Sequence, residues 1–250
     1  MTDTPQPFDL AACAQDITES AKYLKMLIYG DPKVGKTTFA GTAPSPLFLA
    51  VEPGTVVLVK NEENRARFKD TKVIDLTNMT MFNRIVSALN AGQMPDRKTI
   101  VLDTLSEFQH RVLMQWTGHA MNAGLTKLDN AYAPEWPEFN STTNILKKAI
   151  WELRDVKRHV IVLCHCRDDK DKTRGGLSID RPALMPALGA SLTAMFNLVG
   201  YMFVDSDGVT KMRVQAAPTV VAGSHIWSGP PIIENPTFDT FSFERANDVI

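Results

Sequence analysis

Continuously apolar runs of strand length recur along this chain, separated by segments of different periodicity. Four strong runs cover residues 25–29, 46–52, 98–103 and 160–164. Two weaker runs cover residues 56–60 and 72–76. Their apolar positions follow one another without alternation, which is typical of strands buried on both faces of a parallel sheet. The pattern therefore predicts a mainly parallel central sheet.

Helical periodicity fills the intervals between these runs. Over residues 80–91, Met81, Ile85, Val86 and Leu89 fall on one face of a helix. Further helices are predicted from Thr37 to near Pro44, over 105–117, from Pro137 to Arg158 and over 183–197. Strands that alternate with helices predict an α/β fold, with helices on both faces of the sheet and right-handed crossovers.

A late β-hairpin and a single domain complete the predicted architecture. Asp207-Gly208 separates residues 198–205 from 209–216, and this dipeptide between two strand-like segments is a strong hairpin signal. The length of 250 residues suits one domain, which we place over residues 21–250. Residues 1–20 are polar and lack a clear period, so we expect a flexible N-terminal arm.

Composition and charge narrow the class of protein. An apolar fraction of 44% and a net charge of −1 are ordinary for a globular protein, so any polyanion would bind to a local patch. No apolar run reaches the length of a membrane span, and the N-terminus lacks a signal-peptide core, so no membrane contact is expected. The sparse, odd set of Cys13, Cys164 and Cys166 favours a reducing compartment. We expect a cytoplasmic protein.

One motif points directly to chemistry. Residues 30–38 match the spacing G-x-x-x-x-G-K-[ST] between a predicted strand and a predicted helix. In such a loop, backbone N–H groups surround phosphate oxygens, the lysine contacts the β- and γ-phosphates, and the hydroxyl after it binds Mg²⁺. The motif predicts binding of ATP and Mg²⁺ by Gly30, Asp31, Pro32, Lys33, Val34, Gly35, Lys36, Thr37 and Thr38.

Polar residues stand at the ends of the predicted strands, where ligands bind in parallel sheets. Asp103 ends the 98–103 run and is predicted to bind Mg²⁺ together with Thr37. The alternative for Asp103 is an ordinary helix N-cap. The sequence Cys164-His165-Cys166 does not predict a metal site, because alternating side chains on a strand point to opposite faces.

Two further strand-end residues are candidates for catalysis beside Lys36. Glu52 ends the 46–52 run and could orient and deprotonate an attacking water, the alternative being a surface glutamate beside a Pro-Gly turn. His165 follows the 160–164 run and could sense the γ-phosphate, the alternative being a structural histidine. The sequence leaves both alternatives open.

Two segments that we predict to be loops could contact single-stranded DNA. The segment 118–137 offers Lys127 together with aromatic residues for base stacking. The segment 167–181 is charged and predicted to be exposed and flexible, and a solvated loop without a partner is the alternative. The cationic candidates for DNA are Lys127, Arg167, Lys170, Lys172 and Arg174.

Taken together, the motifs resemble those of RecA-like P-loop ATPases found in phage genomes, including the single-strand annealing proteins of the Sak type. The likeness rests on the segments GDPKVGKTT at 30–38, PLFLAVEPGT at 46–55, KTIVLDTLSEF at 98–108, VIVLCHCRDD at 160–169 and RPALMPALG at 181–189. The resemblance implies a RecA-like core, with Glu52 as the catalytic glutamate, Asp103 as the Walker B acid and His165 in the sensor position. It also implies that the segments 118–137 and 167–181 face DNA.

The function that this resemblance implies is ATP-driven annealing of single-stranded DNA in recombination by a phage-encoded protein in a bacterial cell. We expect a homo-oligomer, a ring or a filament, with ATP at the subunit interface and a single-strand-binding protein as a further partner. Lys211 or Arg213 is a candidate for a finger that reaches the neighbour's γ-phosphate, although such a strand is usually solvent-facing. Two rival functions are a small-molecule kinase and a nucleotide-switched interaction module without DNA.

Overall fold

The computed structural model describes residues 22–122, 134, 136–171 and 176–241. The predicted arm over residues 1–20 lies outside this part of the chain, as do Lys127, Lys172 and Arg174. In the described residues, no helix combines the length and the apolar character needed to cross a membrane.

Within the described part of the chain, ten strands form one sheet with a parallel centre. The strands are β1 Lys25–Gly30, β2 Pro46–Ala50, β3 Lys72–Asp75, β4 Thr99–Asp103, β5 His159–Asp171, β6 Leu177–Pro182, β7 Leu198–Val204, β8 Thr210–Arg213, β9 Gly223–Ser224 and β10 Ile232–Glu234. Their order is β10-β8-β7-β1-β5-β4-β2-β3, with β6 paired to β5 and β9 paired to β7. The six strands from β7 to β3 pair in parallel, whereas β6, β8, β9 and β10 pair antiparallel.

Six α-helices lie around this sheet in the described residues. They are α1 Lys36–Gly41, α2 Glu62–Arg67, α3 Met79–Asn90, α4 Leu105–Asn122, α5 Trp136–Arg154 and α6 Pro186–Thr193. Two short 3₁₀ helices, Pro53–Val59 and Phe238–Phe241, complete the described elements. The side chain of Asn78 caps α3 by accepting a hydrogen bond from the backbone N–H of Met81 at 2.9 Å, which fixes where that helix begins.

Alternating side chains of the buried strands supply two hydrophobic cores, one on each face of the sheet. Helices α3 to α6 cover one face, where Phe82, Phe108, Ile150 and Leu188 pack against the strands. Helix α1, the first 3₁₀ helix and the second 3₁₀ helix cover the other face. The predicted fold class, a mainly parallel α/β sheet with helices on both faces and a late β-hairpin, is confirmed.

Several local predictions were wrong. Residues 56–60 were predicted as a strand, but most of this segment belongs to the 3₁₀ helix Pro53–Val59, which begins at a proline. The helix predicted over 105–117 continues to Asn122, into the segment predicted as a loop. The helix predicted over 183–197 spans only Pro186–Thr193.

The largest correction concerns the charged segment 167–181. It is not a loop in its described part, because β5 continues to Asp171 and β6 returns antiparallel from Leu177. Arg167 and Lys170 therefore lie on a strand, opposite Arg181 and Ser178. The apolar run at 160–164 predicted only the part of β5 that lies in the parallel centre of the sheet. The later part of β5 pairs with β6 through a charged sequence, which carries no apolar pattern.

Candidate functional site

The phosphate loop lies between β1 and α1, as the motif predicts. Its last glycine, Gly35, has φ 100° and precedes the first residue of α1, so the turn uses a left-handed conformation that favours glycine. The first glycine, Gly30, packs against β7, where a Cβ atom would lie 2.2 Å from the carbonyl oxygen of Met202. Both glycines are thus required by the local backbone. Lys33 also adopts a left-handed conformation, with φ 71°.

Lys36 lies inside this loop and is only 6% exposed. Its Nζ donates hydrogen bonds to the carbonyl oxygens of Gly30 at 2.8 Å and Asp31 at 2.7 Å. Burial lowers the pKa of Lys36, while the nearby carboxyl of Asp103 opposes that shift. The buried ammonium group is therefore held by neutral oxygens, and phosphate oxygens would give it charged acceptors in their place.

Thr37 and Asp103 meet on the adjacent side of the loop. Thr37 Oγ1 donates to Asp103 Oδ2 at 2.9 Å. Asp103 is 3% exposed, and burial raises its pKa to about 6, with the hydrogen bond from Thr37 opposing part of the shift. A hydroxyl and a carboxylate at this separation fit the hard oxygen ligands that Mg²⁺ takes beside nucleotide phosphates. This pair would hold Mg²⁺, which supplies charge stabilisation at the phosphates when bound.

Gly54 completes the wall of this metal position. A Cβ atom on Gly54 would lie 3.4 Å from Thr37 Oγ1 and 3.5 Å from Asp103 Oδ2. The backbone of the first 3₁₀ helix therefore approaches the proposed Mg²⁺ ligands closely. Among the described residues, no group of three His, Cys, Asp or Glu side chains could hold a metal ion, so a site here depends on the phosphates for its remaining ligands.

Glu52 and His165 come together, as their strand-end positions predict. His165 Nε2 lies 3.0 Å from Glu52 Oε1, with the two side chains 24% and 32% exposed. The backbone N–H of His165 donates to Ser106 Oγ at 3.0 Å, and Ala183 N donates to the carbonyl oxygen of His165 at 2.8 Å. His165 therefore connects Glu52 to helix α4 and to the chain that enters α6. Its other ring nitrogen, Nδ1, is buried and has no hydrogen-bond partner among the described residues.

The two cysteines that flank His165 do not join this cluster. Cys164 is fully buried in the core on the face covered by α3 to α6, and Cys166 packs against the same core. Because side chains alternate along β5, Cys164 and Cys166 point to the face opposite His165.

Sequence reasoning missed three residues of the cluster. Thr104 Oγ1 donates to Glu52 Oε1 at 2.5 Å, Ser106 contacts the backbone of His165, and Gly54 lies against the metal position. Thr104 and Ser106 lie within three positions after β4, and Gly54 follows the pair Glu52-Pro53. The sequence shows that these three residues are close to strand ends. A single hydroxyl residue or glycine, however, does not indicate which residue of a neighbouring strand it contacts.

The candidates for DNA contact are only partly described. Arg167 lies on β5 and pairs with Asp169, its nitrogen Nη2 being 2.7 Å from Asp169 Oδ2, and Arg181 also lies 3.6 Å from this carboxylate. Lys170 is exposed on the same strand. Both described candidates therefore lie on the ribbon of β5 and β6, which extends from the strand that carries His165.

The candidates for a trans-acting finger, Lys211 and Arg213, lie on β8. Lys211 Nζ is 2.8 Å from Asp205 Oδ2 and 2.8 Å from Glu234 Oε1, so its charge is held within the subunit. Thr210, the first residue of β8, lies beside Gly35 of the phosphate loop. The hairpin thus adjoins the nucleotide site, and in this arrangement Lys211 is paired with two carboxylates of its own chain.

A glycine loop at the end of β1, a buried lysine, a hydroxyl–carboxylate pair and a parallel sheet define a P-loop NTPase. A family model described as "AAA domain" matches residues 22–226, more than half of the chain. The chain therefore belongs to this AAA domain family.

Solved structures and curated proteins were also compared with the chain. A solved structure described as the RadB recombinase is similar over 84% of this chain and 86% of its own, at 12% sequence identity and a TM-score of 0.47. A likeness this distant carries no argument about activity. No curated protein matches the chain.

Proposed function

We propose that this protein is an ATPase that hydrolyses ATP in the cluster formed by the phosphate loop, Asp103, Glu52 and His165. The observation that carries the proposal is the contact of Glu52 with His165, at the same sheet edge as the pair Thr37 and Asp103. The cluster thus combines phosphate binding, metal binding and a carboxylate that can accept a proton. Such a set fits phosphoryl transfer to water.

Each side chain has a distinct role in the proposed reaction. Lys36 binds the β- and γ-phosphates and exchanges its two carbonyl acceptors for them. Glu52 orients the attacking water and takes its proton. His165 holds Glu52 and senses whether the γ-phosphate is present. Bound Mg²⁺, held by Thr37 and Asp103, adds positive charge at the phosphates.

We further propose that ATP binding controls contact with single-stranded DNA through the ribbon of β5 and β6. His165 lies on β5 next to Glu52, and Arg167 and Lys170 follow it on the same strand. A change at the γ-phosphate that moves His165 would act on this strand without an intervening loop. The role that we propose for these features is DNA annealing in recombination. A phage-encoded homo-oligomer with ATP at its subunit interface would carry it out.

Binding of a labelled oligonucleotide at increasing salt tests the DNA part of the proposal. Lys170→Ala should weaken binding and reduce the slope of log K against log salt by about 1, because one phosphate contact is lost. The matched control is Lys69→Ala, which removes an exposed lysine just before β3, an edge strand three positions from β5 in the sheet. Equal salt slopes for Lys170→Ala and the parent protein, or no binding with and without an ATP analogue, would exclude DNA contact by the ribbon.

A second measurement tests hydrolysis itself. Glu52→Gln keeps an oxygen that can accept the hydrogen bonds of Glu52 but cannot take a proton at neutral pH. Release of phosphate should fall by about 100-fold, within the range for loss of a general base. Release at the parent rate would exclude Glu52 as the base.

A further inference from the structure

The carboxylate of Glu52 is held at one of its two oxygen atoms. Thr104 Oγ1 donates to Oε1 at 2.5 Å, and His165 Nε2 lies 3.0 Å from the same atom. Among the described residues, no hydrogen-bond donor contacts Glu52 Oε2. Two donors on one oxygen fix the rotation of the carboxylate and leave the other oxygen to accept a proton.

We propose that Thr104 is a positioning residue for hydrolysis, whose hydroxyl fixes Glu52 so that Oε2 is the atom facing the attacking water. The inference rests on the proposed function, in which Glu52 is the general base. In the reaction, the water oxygen forms a bond to the γ-phosphorus and the bond from that phosphorus to the oxygen of ADP breaks. The proton of the water passes to Glu52 Oε2, and the products are ADP and inorganic phosphate.

The position of Thr104 in the sheet suits this role. Thr104 directly follows Asp103 and is 3% exposed. Strands β2 and β4 pair in parallel, with Ala50 opposite Asp103, and the backbone N–H of Val51 donates to the carbonyl oxygen of Asp103 at 2.7 Å. Glu52 and Thr104 therefore extend from the same end of two paired strands. The hydrogen bond between them sets the distance from the base to the metal-binding carboxylate.

Threonine suits the contact for two chemical reasons. Its branched Cβ restricts rotation of the side chain, so the hydroxyl direction is set by the backbone. The hydroxyl also stays neutral at every physiological pH, so its donation to Glu52 does not depend on the protonation of a neighbour. His165, the second donor, can respond to the γ-phosphate, while Thr104 maintains the orientation of Glu52.

The hydroxyl of Thr104 has a second contact that an experiment must separate from the first. Oγ1 accepts a hydrogen bond from the backbone N–H of Glu107 at 3.3 Å, and so caps the start of α4. Loss of the hydroxyl would therefore reduce stability even if Thr104 had no role in hydrolysis. A stability effect alone does not support the proposal.

Steady-state hydrolysis by three variants separates the two roles. Thr104→Val should lower kcat by on the order of 10- to 100-fold through misplacement of the base, and leave the Kd of an ATP analogue within about 2-fold of the parent value. Thr104→Ser should retain most of the parent kcat because it keeps the hydroxyl. The matched control is Thr99→Val, at the start of β4, the strand that Thr104 follows. It removes a buried hydroxyl that donates to the carbonyl oxygen of Pro44 at 2.9 Å. That control should lose stability and keep kcat.

A double-mutant cycle with Glu52 tests the contact directly. In a Glu52→Gln background, Thr104→Val should cause no further loss of kcat, because the positioned base is already absent. In urea unfolding of the nucleotide-free protein, Thr104→Val and Glu52→Ala, which removes the acceptor, should be non-additive, a readout that does not depend on activity. Should Thr104→Val fail to fold, Thr104→Ala and Thr104→Ser provide the same comparison.

The outcomes distinguish the inference from the proposed function. If Thr104→Val has the parent kcat while Glu52→Gln is inactive, the positioning role is wrong and the catalytic role of Glu52 stands. The same holds if the losses of kcat from Thr104→Val and Glu52→Gln add fully, and the losses of stability from Thr104→Val and Glu52→Ala also add fully. If Glu52→Gln hydrolyses ATP at the parent rate, the proposed base is wrong, and the positioning role fails with it.

Discussion

Thr37 and Asp103 are 66 positions apart in the sequence, yet the hydroxyl of one donates to the carboxylate of the other at 2.9 Å. The contact joins the helix that follows the phosphate loop to the end of strand β4. Because Asp103 is almost fully buried, its charge is unfavourable until a cation or a proton compensates it. The protein therefore holds the two Mg²⁺ ligands in contact at a cost in stability.

This cost leads to a prediction for Asp103→Asn. Asparagine keeps an oxygen that accepts from Thr37 but carries no charge, so the nucleotide-free variant should be more stable than the parent at pH 8, by about 1–3 kcal/mol. Addition of ATP with Mg²⁺ should then stabilise the variant much less than the parent. Thermal unfolding of both proteins, with and without ligand, measures the two effects.

The control for this prediction is Asp207→Asn, which changes an exposed carboxylate in the turn between β7 and β8. That variant should keep both the parent stability and the parent response to ATP. An Asp103→Asn protein that is less stable than the parent without ligand, yet equally stabilised by ATP with Mg²⁺, would contradict the account of this pair.

Three glycines predict a graded series of stability losses. A Cβ atom on Gly30 would lie 2.2 Å from the backbone oxygen of Met202, so Gly30→Ala should cost about 2–3 kcal/mol or prevent folding. On Gly200 the nearest atom would be the sulfur of Met212 at 2.7 Å, which is flexible, so Gly200→Ala should cost less. Gly223 has open space, and Gly223→Ala should change stability by less than about 0.5 kcal/mol.

Urea unfolding of the three variants checks this order. The sheet pairs Gly30 with Met202 and Ile28 with Gly200, so the series tests the packing of β7 beside the phosphate loop. Equal stability of Gly30→Ala and Gly223→Ala would show that β7 does not lie against the loop.

Much of this site could be predicted from the sequence because it sits at the ends of buried parallel strands. The runs that end at Glu52, Asp103 and His165 are visible in the order of apolar residues, and parallel strands bring such ends to one edge. The phosphate-loop motif fixes the positions of Lys36 and Thr37 through backbone geometry. These features are local in sequence or follow from one rule of sheet topology.

The remaining features depend on contacts between distant residues. Pairing of β6 with β5 places Arg181 opposite Arg167 in a charged ribbon, and the local sequence carries no periodic signal for it. The role of Thr104 depends on the neighbouring strand that supplies Glu52. Lys211, a candidate for contact with another subunit, pairs with Asp205 across the hairpin and with Glu234 on β10, 23 positions later.

A half-buried histidine, His159, predicts loss of stability at mildly acidic pH. His159 Nδ1 accepts a hydrogen bond from the backbone N–H of Leu24 at 3.0 Å, and its ring packs edge-on against Phe238. Burial, together with the smaller effects of the Lys25 and Lys98 charges, lowers the pKa of His159 to about 4. The unfolded state therefore binds the proton first, and the contribution of His159 to stability is lost as the pH falls from about 6.5 toward 4.

Unfolding free energies of the parent and of His159→Gln at pH 7, 6 and 5 test this prediction. Glutamine keeps an acceptor and does not titrate, so the difference between the two proteins isolates the histidine. The parent should lose up to about 1.4 kcal/mol per pH unit relative to the variant. A constant difference across this range would show that His159 is not buried in its neutral form.

Calorimetric titration of the parent protein and of Lys36→Ala with ATP and Mg²⁺ tests the central claim most directly. Lys69→Ala, which removes an exposed lysine far from the loop, is the control for charge. The account predicts one ATP per chain for the parent and the control, and an affinity lower by about 10- to 150-fold for Lys36→Ala, since charge-assisted hydrogen bonds to phosphate are lost. Equal affinity of all three proteins, or no heat of binding by the parent, would contradict the assignment of residues 30–38 as a triphosphate site.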